Sequence, residues 1–306
     1  DANEIDFIGV HDERTGTHMA DGYARASGET GVVLAGQNGP GTTNLVTGLA
    51  TAMMDSSAMV AITGNVPTSL IGTDAFQEAD VYGITGPVTK HNFLVKRIED
   101  LPRVINEAFH IATTGRPGPV LIDIPKDVQQ ASWDVDLDAI DATVDLPGYR
   151  PTVTGHAGQI RKAAEAIRNA KKPIMMVGGG GQIADQEVMA FAEKTGIPVI
   201  TTLMGIGAYP AGANQALVMP GMHGTVTSNR AITHCDLIIG AGVRFDDRVT
   251  GKVDAWAPNA KIIHVDIDPS CISKNVYADC AIIGDAQKVL QQLIPKVEPK
   301  DTSDWL

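Results

Sequence analysis

Short apolar runs alternate with segments of helical periodicity along most of this chain. The runs are four to eight residues long and are bounded by Gly, Pro or polar residues, which is typical of strands buried in a parallel sheet. Strands that alternate with amphipathic helices build doubly wound sheets, so we predict the α/β class. The expected elements of the first half are a strand at 5–10, a helix at 14–27, a strand at 31–34, a helix at 42–54, a strand at 58–63, a helix at 99–113 and a strand at 118–125.

The alternation stops between residues 126 and 154, where acidic residues alternate with Val, Leu and Ala and Pro147, Gly148 and Pro151 follow. This composition is typical of a linker, and 306 residues are enough for two hydrophobic cores. We therefore predict two doubly wound parallel-sheet domains, 1–128 and 151–306, joined by a linker at 129–150. The second domain is expected to contain a helix at 156–169, strands at 173–177, 198–202, 237–241 and 261–266, and a helix at 286–294.

Composition argues against several classes of partner and site. The formal net charge of −12 disfavours nucleic acid and anionic membranes, which attract clustered Lys and Arg. No apolar run reaches the roughly 20 residues of a membrane-spanning helix, and no targeting segment is recognisable. We expect a soluble cytoplasmic protein with a trimmed N-terminus, or a plastid or mitochondrial one in a eukaryote. The three cysteines lack metal-binding spacing, which predicts free thiols rather than disulfides or a zinc site.

Glu13 is the first candidate functional residue. It lies where the predicted strand at 5–10 gives way to a helix, at the edge of a parallel sheet where ligands bind. A helix N-terminus stabilises the ionised carboxyl, whereas burial raises the pKa of such a group. A glutamate in a first helical turn is also explained by the favourable charge alone, so the local pattern leaves both interpretations open.

Further polar segments follow in the first half. The turn at 38–41 (Asn-Gly-Pro-Gly), with Asn44 in the next helix, allows close backbone approach to a ligand, although an ordinary strand-to-helix turn explains the same residues. The irregular segments 72–78 and 89–91 favour a functional loop.

Two segments of the second half suit a nucleotide. The glycines at 178–181 follow a strand and could bind phosphate at the next helix, but they lack the full GxGxxG spacing. Arg244 and Arg248 follow another strand and suit a pyrophosphate. A surface ion-pair cluster with Asp246 and Asp247 is the alternative.

Taken together, these motifs resemble a known enzyme family. The segments that carry the resemblance are 18–25, 38–44, GTDAFQE at 72–78, GRPGPV at 115–120 and RFDDRVTGK at 244–252. They resemble the catalytic subunits of the acetohydroxyacid (acetolactate) synthases, which depend on thiamine diphosphate, and the similarity extends over nearly the whole chain. The combination of GTDAFQE and RFDDRVTGK is specific to that family among thiamine-dependent enzymes.

The resemblance implies that the chain contains two of the three domains of that family. These are the pyrimidine-binding domain, without its first strand and helix, and the central FAD-binding domain. The third domain binds the diphosphate and Mg²⁺ through a Gly-Asp-Gly motif, and the nearest match, at Gly284 and Asp285, lies in the wrong place. We expect the chain to be inactive without that domain.

The implied reaction is the decarboxylation of pyruvate and its carboligation to a second 2-keto acid, pyruvate or 2-ketobutyrate, the first common step of branched-chain amino acid synthesis. Glu13 matches the glutamate that hydrogen-bonds the aminopyrimidine ring of thiamine diphosphate. Pro40 and Asn44 match contacts to the cofactor ring. Gln77 and Lys90 match further catalytic-site residues, and Phe76 matches a residue of the substrate channel.

The resemblance also implies bound FAD in a reaction without net electron transfer, so the flavin would have a largely structural role. The matching positions are Arg116, Gly178, Gly179, Gly180, Thr202, Leu203, Met222, His223, Gly242, Arg244, Arg248, Asp266, Ile267 and Asp285. The family further implies at least a homodimer, with the active site between two chains, and a small regulatory subunit.

Some residues near the expected site depart from the family pattern. Asp12 and Arg14 flank Glu13 where the family has His and Gln, and Gly86 replaces an arginine. Residues 37–38 are Gln-Asn rather than Thr-Ser, as in the related sulfoacetaldehyde acetyltransferases. These departures leave open another thiamine-dependent carboligase or acyltransferase, and a non-catalytic FAD-binding fragment.

Overall fold

The computed structural model describes residues 6–136, 140 and 143–305. The chain divides into two compact units, 1–150 and 151–306, and each has its own parallel sheet. The division follows the segment that we predict to be a linker. The beginning of that segment lies in a helix, Lys126–Gln130. Near its end, Leu146 and Tyr149 pack on the core of the first unit. Residues 137–139 and 141–142 of the predicted linker lie outside the described residues.

The first unit contains a four-stranded parallel sheet in the order β1-β2-β4-β3. Its described elements are α1 (Glu13–Ser27), β1 (Gly31–Ala35), α2 (Thr43–Asp55), β2 (Met59–Asn65), α3 (Val81–Thr85), β3 (His91–Leu94), α4 (Leu101–Thr113), β4 (Pro119–Pro125) and α5 (Lys126–Gln130).

Alternate strand residues of this sheet are buried against helices on opposite faces. On one face, Ala61 and Leu121 pack with Leu45 and Leu49 of α2. On the other face, the intervening strand residues pack with α4, whose apolar positions recur at helical spacing. Helices on both faces confirm the predicted doubly wound sheet, and they leave the carboxyl edge of the sheet for the loops.

The second unit contains a six-stranded parallel sheet in the order β10-β9-β8-β5-β6-β7. Its described elements are α6 (Ala157–Asn169), β5 (Pro173–Val177), α7 (Asp185–Thr195), β6 (Val199–Thr201), β7 (Ala216–Val218), α8 (Val226–His234), β8 (Leu237–Ala241), α9 (Asp247–Thr250), β9 (Lys261–Asp266), β10 (Cys280–Ile283) and α10 (Ala286–Leu293).

The sheet of the second unit also has a core on each face. One core joins the strands to α6, α7 and α10, and the other joins them to α8, Phe245 and Ala257. The strand order reverses between β8 and β5, since the chain continues from β5 to β6 on one side and from β8 to β9 on the other. A reversal of this kind opens a crevice at the carboxyl edge of the sheet.

One predicted strand is wrong. Residues 6–10 form no strand, and residue 5 lies outside the described residues. A strand needs a hydrogen-bonded neighbour, and this segment makes no ladder within the described residues. Phe7 and Ile8 are accordingly 77% and 70% exposed.

The segment 89–91, which we predict to lie in a loop, runs into a strand instead. β3 begins at His91 and pairs in parallel with β4. Its alternation is hidden in the sequence because the buried residue of this strand is a polar one, Asn92, which is 9% exposed and hydrogen-bonded to Thr89.

Candidate functional site

Glu13 lies in the first turn of α1, and Asp12 caps that helix by accepting from the backbone N–H of Arg14. The Glu13 side chain is half-buried. Its Oε2 accepts from Asn44 Nδ2 at 3.0 Å, so α1 and α2 fix the carboxylate between them. Oε1 accepts no hydrogen bond from the described residues, and a Cβ on Gly41 would lie 3.5 Å from it. The fold therefore presents one oriented carboxylate oxygen beside a turn that lacks a side chain.

The turn at 38–41 also contacts the loop at 72–78. The N–H of Gly39 donates to the carbonyl of Gln77 at 2.7 Å, and Gln77 Nε2 donates to Gln37 Oε1 at 3.2 Å. Pro40 follows Gly39 in a cis peptide. The structure thus brings Glu13, Pro40, Asn44 and Gln77 to one place at the carboxyl edge of the sheet.

Glu78 shapes the loop that carries Phe76 and Gln77. Its carboxylate accepts from the backbone N–H groups of Gly72 and Ala75, and these hydrogen bonds hold the pKa of the Glu78 carboxyl below its usual value. Phe76 contacts little of the first unit and is 89% exposed. A loop that holds a large aromatic side chain in solvent is typical of a binding loop.

Lys90 does not join Glu13 within one chain. Its Nζ donates to two carbonyls at the C-terminal end of α4 and, at 3.1 Å, to Tyr149 Oη. Its backbone N–H bonds to Pro119 at the amino end of β4, whereas the turn at 38–41 lies beyond the carboxyl ends of the strands. At about 3.3 Å per residue, β4 separates the two positions by roughly 20 Å.

A buried polar group near the same turn was missed by reasoning from sequence. Asp123 Oδ1 accepts from Thr63 Oγ1 at 2.7 Å, and Asn65 Nδ2 donates to Oδ2. Asn38 Nδ2 donates to Asn65 Oδ1 at 2.5 Å. Burial raises the pKa of Asp123 above its ordinary value. A carboxylate within the apolar run 118–125 was the available signal, because buried charges need partners.

In the second unit, the residues predicted to bind a flavin follow the carboxyl ends of all six strands of the sheet. Each loop contributes at least one of them, and because the strands are parallel all six loops lie along one edge. In chain order the positions are Gly178, Gly179 and Gly180 after β5, Thr202 and Leu203 after β6, Met222 and His223 after β7, Gly242, Arg244 and Arg248 after β8, Asp266 at the end of β9 with Ile267 next, and Asp285 after β10.

Arg116 is the exception, since it belongs to the first unit. Its Nε donates to Ser56 Oγ at 2.8 Å and its Nη2 donates to the carbonyls of Met53 and Met54. These groups lie at the C-terminal end of α2, where a cation is favourable. In this structure Arg116 therefore caps a helix.

The glycines after β5 and β8 meet at the point where the strand order reverses. A Cβ on Gly178 would lie 2.2 Å from the carbonyl oxygen of Gly242, and a Cβ on Gly242 would lie 2.5 Å from backbone atoms of Gly180. Gly242 also has a φ of +60°, which favours glycine. The two turns pack backbone against backbone, so side chains are excluded from the floor of the crevice.

The rim of this crevice combines exposed apolar groups with two arginines. Leu203 and Met222 are 69% and 68% exposed. Arg248 is largely exposed, and Arg244 Nη2 lies 3.7 Å from Asp246 Oδ2. Apolar walls with a few charged groups are what a large planar ring linked to a pyrophosphate requires.

No three His, Cys, Asp or Glu side chains in 6–136, 140 and 143–305 lie close enough together to bind a metal ion. Within the same ranges, every helix is too short or too polar to cross a membrane. The three cysteines are buried free thiols, as predicted.

Comparison with protein families gives two matches. The family described as thiamine pyrophosphate enzyme, N-terminal TPP binding domain, matches residues 1–84. The family described as thiamine pyrophosphate enzyme, central domain, matches residues 160–293. The first match contains Glu13 and Gln77, and the second contains all six strands of the larger sheet.

Curated relatives match over almost the whole chain. A protein of Methanocaldococcus jannaschii named probable acetolactate synthase large subunit is 54% identical over 311 residues, which cover 100% of this chain and 52% of that protein. The acetolactate synthase large subunit of Corynebacterium glutamicum is 52% identical, with 100% and 49% covered. Acetolactate synthase isozyme 3 large subunit of Escherichia coli is 49% identical, with 95% and 50% covered. The chain spans about half the length of the curated relatives it matches.

Proposed function

The chain belongs to the thiamine pyrophosphate enzymes, and on that basis we propose that the whole protein is the large subunit of an acetolactate synthase. It would decarboxylate pyruvate and join the product to a second 2-keto acid, pyruvate or 2-ketobutyrate. The observation that carries the proposal is the oriented carboxylate of Glu13 beside the turn at 38–41, in a chain 54% identical to a relative of that name. The names of the relatives favour the synthase over a sulfoacetaldehyde acetyltransferase.

The residues around Glu13 fit the aminopyrimidine ring of thiamine diphosphate. Asn44 binds Oε2 and leaves Oε1 available, and the absent side chain of Gly41 leaves space beside that oxygen. When bound, thiamine diphosphate supplies the carbanion chemistry of the reaction. Glu13 would hold or release a proton at Oε1 towards a ring nitrogen, which is the role of a positioned acid–base group.

The neighbouring groups would control the position of the ring. Asn44 prevents the Glu13 carboxylate from rotating, and Pro40 would contact the face of the ring. Gln77 and Phe76 would line the path of the substrate, because their loop is hydrogen-bonded to the turn at 38–41. Lys90 does not belong to this group of residues in the same chain, because its ammonium group caps the C-terminal end of α4.

We propose FAD as the ligand of the second unit. Six loops converge on one edge of the sheet, glycines form the floor of the crevice and apolar side chains form its rim. Arg244 and Arg248 would bind the pyrophosphate, and Leu203 and Met222 would contact the ring. Because the proposed reaction transfers no net electrons, the flavin would stabilise the fold of the unit.

The remaining parts of the proposal concern the rest of the protein. The chain spans about half the length of its curated relatives, and we assign the ligands of Mg²⁺ and of the diphosphate to a third domain in the other half. The relatives are named large subunits, which supports a small regulatory partner. We further propose a homodimer or larger assembly with active sites between chains, located in the cytoplasm.

Replacement of Glu13 tests the proposed chemistry. In the full-length protein, Glu13→Gln keeps the shape of the side chain and its bond to Asn44 but removes the ionisable proton site. We expect turnover of pyruvate to acetolactate to fall roughly 10²- to 10⁴-fold, the range for loss of a positioned acid–base group. The measurement is steady-state formation of acetolactate at saturating thiamine diphosphate.

The visible absorbance of bound flavin provides the control. Glu13 belongs to the first unit, whereas every proposed flavin residue except Arg116 belongs to the second, so the variant should retain the same flavin spectrum as the wild type. Unchanged turnover in Glu13→Gln would refute the assignment of Glu13, and a wild-type protein purified without flavin would refute the FAD site.

A further inference from the structure

A series of buried and half-buried polar side chains connects the interior of the four-stranded sheet to the turn at 38–41. Asp123 is 5% exposed and accepts from Thr63 and from Asn65 Nδ2. Asn65 Oδ1 accepts from Asn38 Nδ2 at 2.5 Å and from the backbone N–H of Val66 at 2.7 Å. Each amide donates towards the carboxylate, so the series runs in one direction, from Asn38 to Asp123.

This series ends on an acceptor without a donor. Asn38 is 3% exposed, and its Oδ1 is buried with no hydrogen-bond partner in the described part of the chain. A buried acceptor without a donor is unfavourable and needs an explanation. Asn38 immediately precedes Gly39 and Pro40, so the open acceptor belongs to the turn that we assign to the cofactor ring.

The hydrogen bonds to Asp123 give the series a function. Its two carboxyl oxygens pair with Thr63 and Asn65, and this pairing fixes the orientation of the Asn65 amide. Hydrogen bonds in such a series polarise one another. This polarisation makes Asn38 Oδ1 a stronger hydrogen-bond acceptor. The hydrogen bond to Asn65 holds the side chain of Asn38 in a single orientation.

We propose that Asp123 and Asn65 are positioning residues that orient Asn38, and that Asn38 Oδ1 accepts a hydrogen bond from an N–H or O–H group of the bound cofactor. The proposal rests on the proposed function, in which thiamine diphosphate occupies the site beside Glu13. Neither Asp123 nor Asn65 needs to contact the cofactor. They determine its affinity because they determine which way Asn38 points.

Matched substitutions of the two hydrogen-bond partners of Asp123, Asn65 and Thr63, test this role. Asn65→Leu removes the amide that links Asp123 to Asn38, whereas Thr63→Val removes a hydrogen bond to the same carboxylate outside the series. We titrate the full-length variants with thiamine diphosphate in the presence of Mg²⁺ and measure the dissociation constant by calorimetry. Loss of one positioned hydrogen bond corresponds to about a tenfold change, so we expect about tenfold weaker binding for Asn65→Leu and unchanged binding for Thr63→Val.

A second readout separates positioning from a general loss of stability. Both substitutions are expected to lower the melting temperature, since each leaves part of a buried polar group unpaired. Asn65→Leu should raise the thiamine diphosphate concentration needed for half-maximal activity more than it lowers kcat at saturation. Equal dissociation constants for the wild type and Asn65→Leu would refute the positioning role, as would equal weakening by both variants.

Different results would refute the proposed function and the positioning role. If the full-length wild type bound no thiamine diphosphate, both would be refuted. If the wild type bound it and Asn65→Leu bound it equally well, only the role of Asn65 and Asp123 would be refuted.

Discussion

His264 is a buried histidine whose two ring nitrogens have different surroundings. Nε2 lies 2.8 Å from the carbonyl oxygen of Val243, and Nδ1 has no partner among the described residues. Nε2 therefore carries the proton of the neutral ring, and burial lowers the pKa of His264 below its ordinary value. The hydrogen bond fixes Val243 between Gly242 and Arg244, two of the residues that we assign to the flavin.

The lowered pKa predicts how acid affects stability. Between the ordinary pKa of 6.5 and the lower folded value, the unfolded chain binds a proton at His264 that the folded chain does not. The free energy of unfolding therefore falls as pH decreases below 6.5, by at most about 1.4 kcal/mol per pH unit for one group. In His264→Gln, whose amide can still donate to Val243, the slope between pH 7 and 5 should be smaller. Urea unfolding at several pH values measures it, and equal slopes would contradict the prediction.

At the residue scale, local sequence pattern predicts where a residue lies in a helix or strand, but it does not predict which distant residue its side chain pairs with. The positions of Glu13 and Asn44 in the first turns of α1 and α2 could be predicted from helical periodicity. Their mutual hydrogen bond could not, because it joins two helices. Asp123 was missed because its partner Asn65 lies on another strand, and only the register of β2 and β4 brings the two together.

At the scale of elements, the turns after β5 and β8 leave no space for a side chain, because Gly178, Gly180 and Gly242 pack backbone against backbone. Gly242→Ala would place a Cβ 2.5 Å from backbone atoms of Gly180 at a φ of +60°. A non-glycine residue in such a conformation costs of order 1–3 kcal/mol before any clash. We expect the variant to have a lower melting temperature and to lose flavin on gel filtration.

Gly212→Ala is the matched control for that experiment. A Cβ on Gly212 would meet no atom within 4 Å, and Gly212 lies in the same unit as Gly242. The control should keep both its melting temperature and its flavin. A Gly242→Ala protein that also kept both would show that the two turns can separate without affecting the crevice.

Most elements could be predicted from periodicity, and the exceptions have physical reasons. α7 was overlooked although Val188, Phe191 and Ala192 recur at the spacing of one helix face and are buried. β3 was hidden by its buried Asn92, and β10 has only the four residues Cys280–Ile283. Short elements depend on their neighbours in the sheet, and one sequence carries little information about those neighbours.

At the scale of the whole molecule, each unit has two hydrophobic cores of its own. The second unit also secures its own C-terminal segment, because Trp305 Nε1 donates to the carbonyl of Pro173 at 3.0 Å and Thr302 Oγ1 donates to that of Gly196 at 2.7 Å. A domain with its own core is expected to fold alone. The presence of two parallel-sheet domains could be predicted because the alternation of strands and helices stops between residues 126 and 154 and then resumes.

We predict that residues 151–306 expressed alone fold and bind FAD. Every proposed flavin residue except Arg116 lies in this unit, and Arg116 caps α2 in the other. Circular dichroism reports folding, and flavin fluorescence quenching reports binding. If a folded fragment did not bind FAD, groups outside the second unit would be required. Residues 1–150 provide the control, because they should leave flavin fluorescence unchanged.

The six loops that form the proposed flavin crevice have a consequence for the folding of the protein in the cell. Pro173 on β5 pairs with Leu237 on β8, while β6, β7 and α8 lie between them in the chain, and such distant pairings form slowly during folding. The crevice forms only once all six strands are aligned, so its ligand binds the folded protein and not the partly folded chain. Ligand binding therefore stabilises the folded state. The cellular supply of that ligand would therefore determine how many copies escape proteolysis, and cofactor shortage would lower the abundance of the protein as well as its activity.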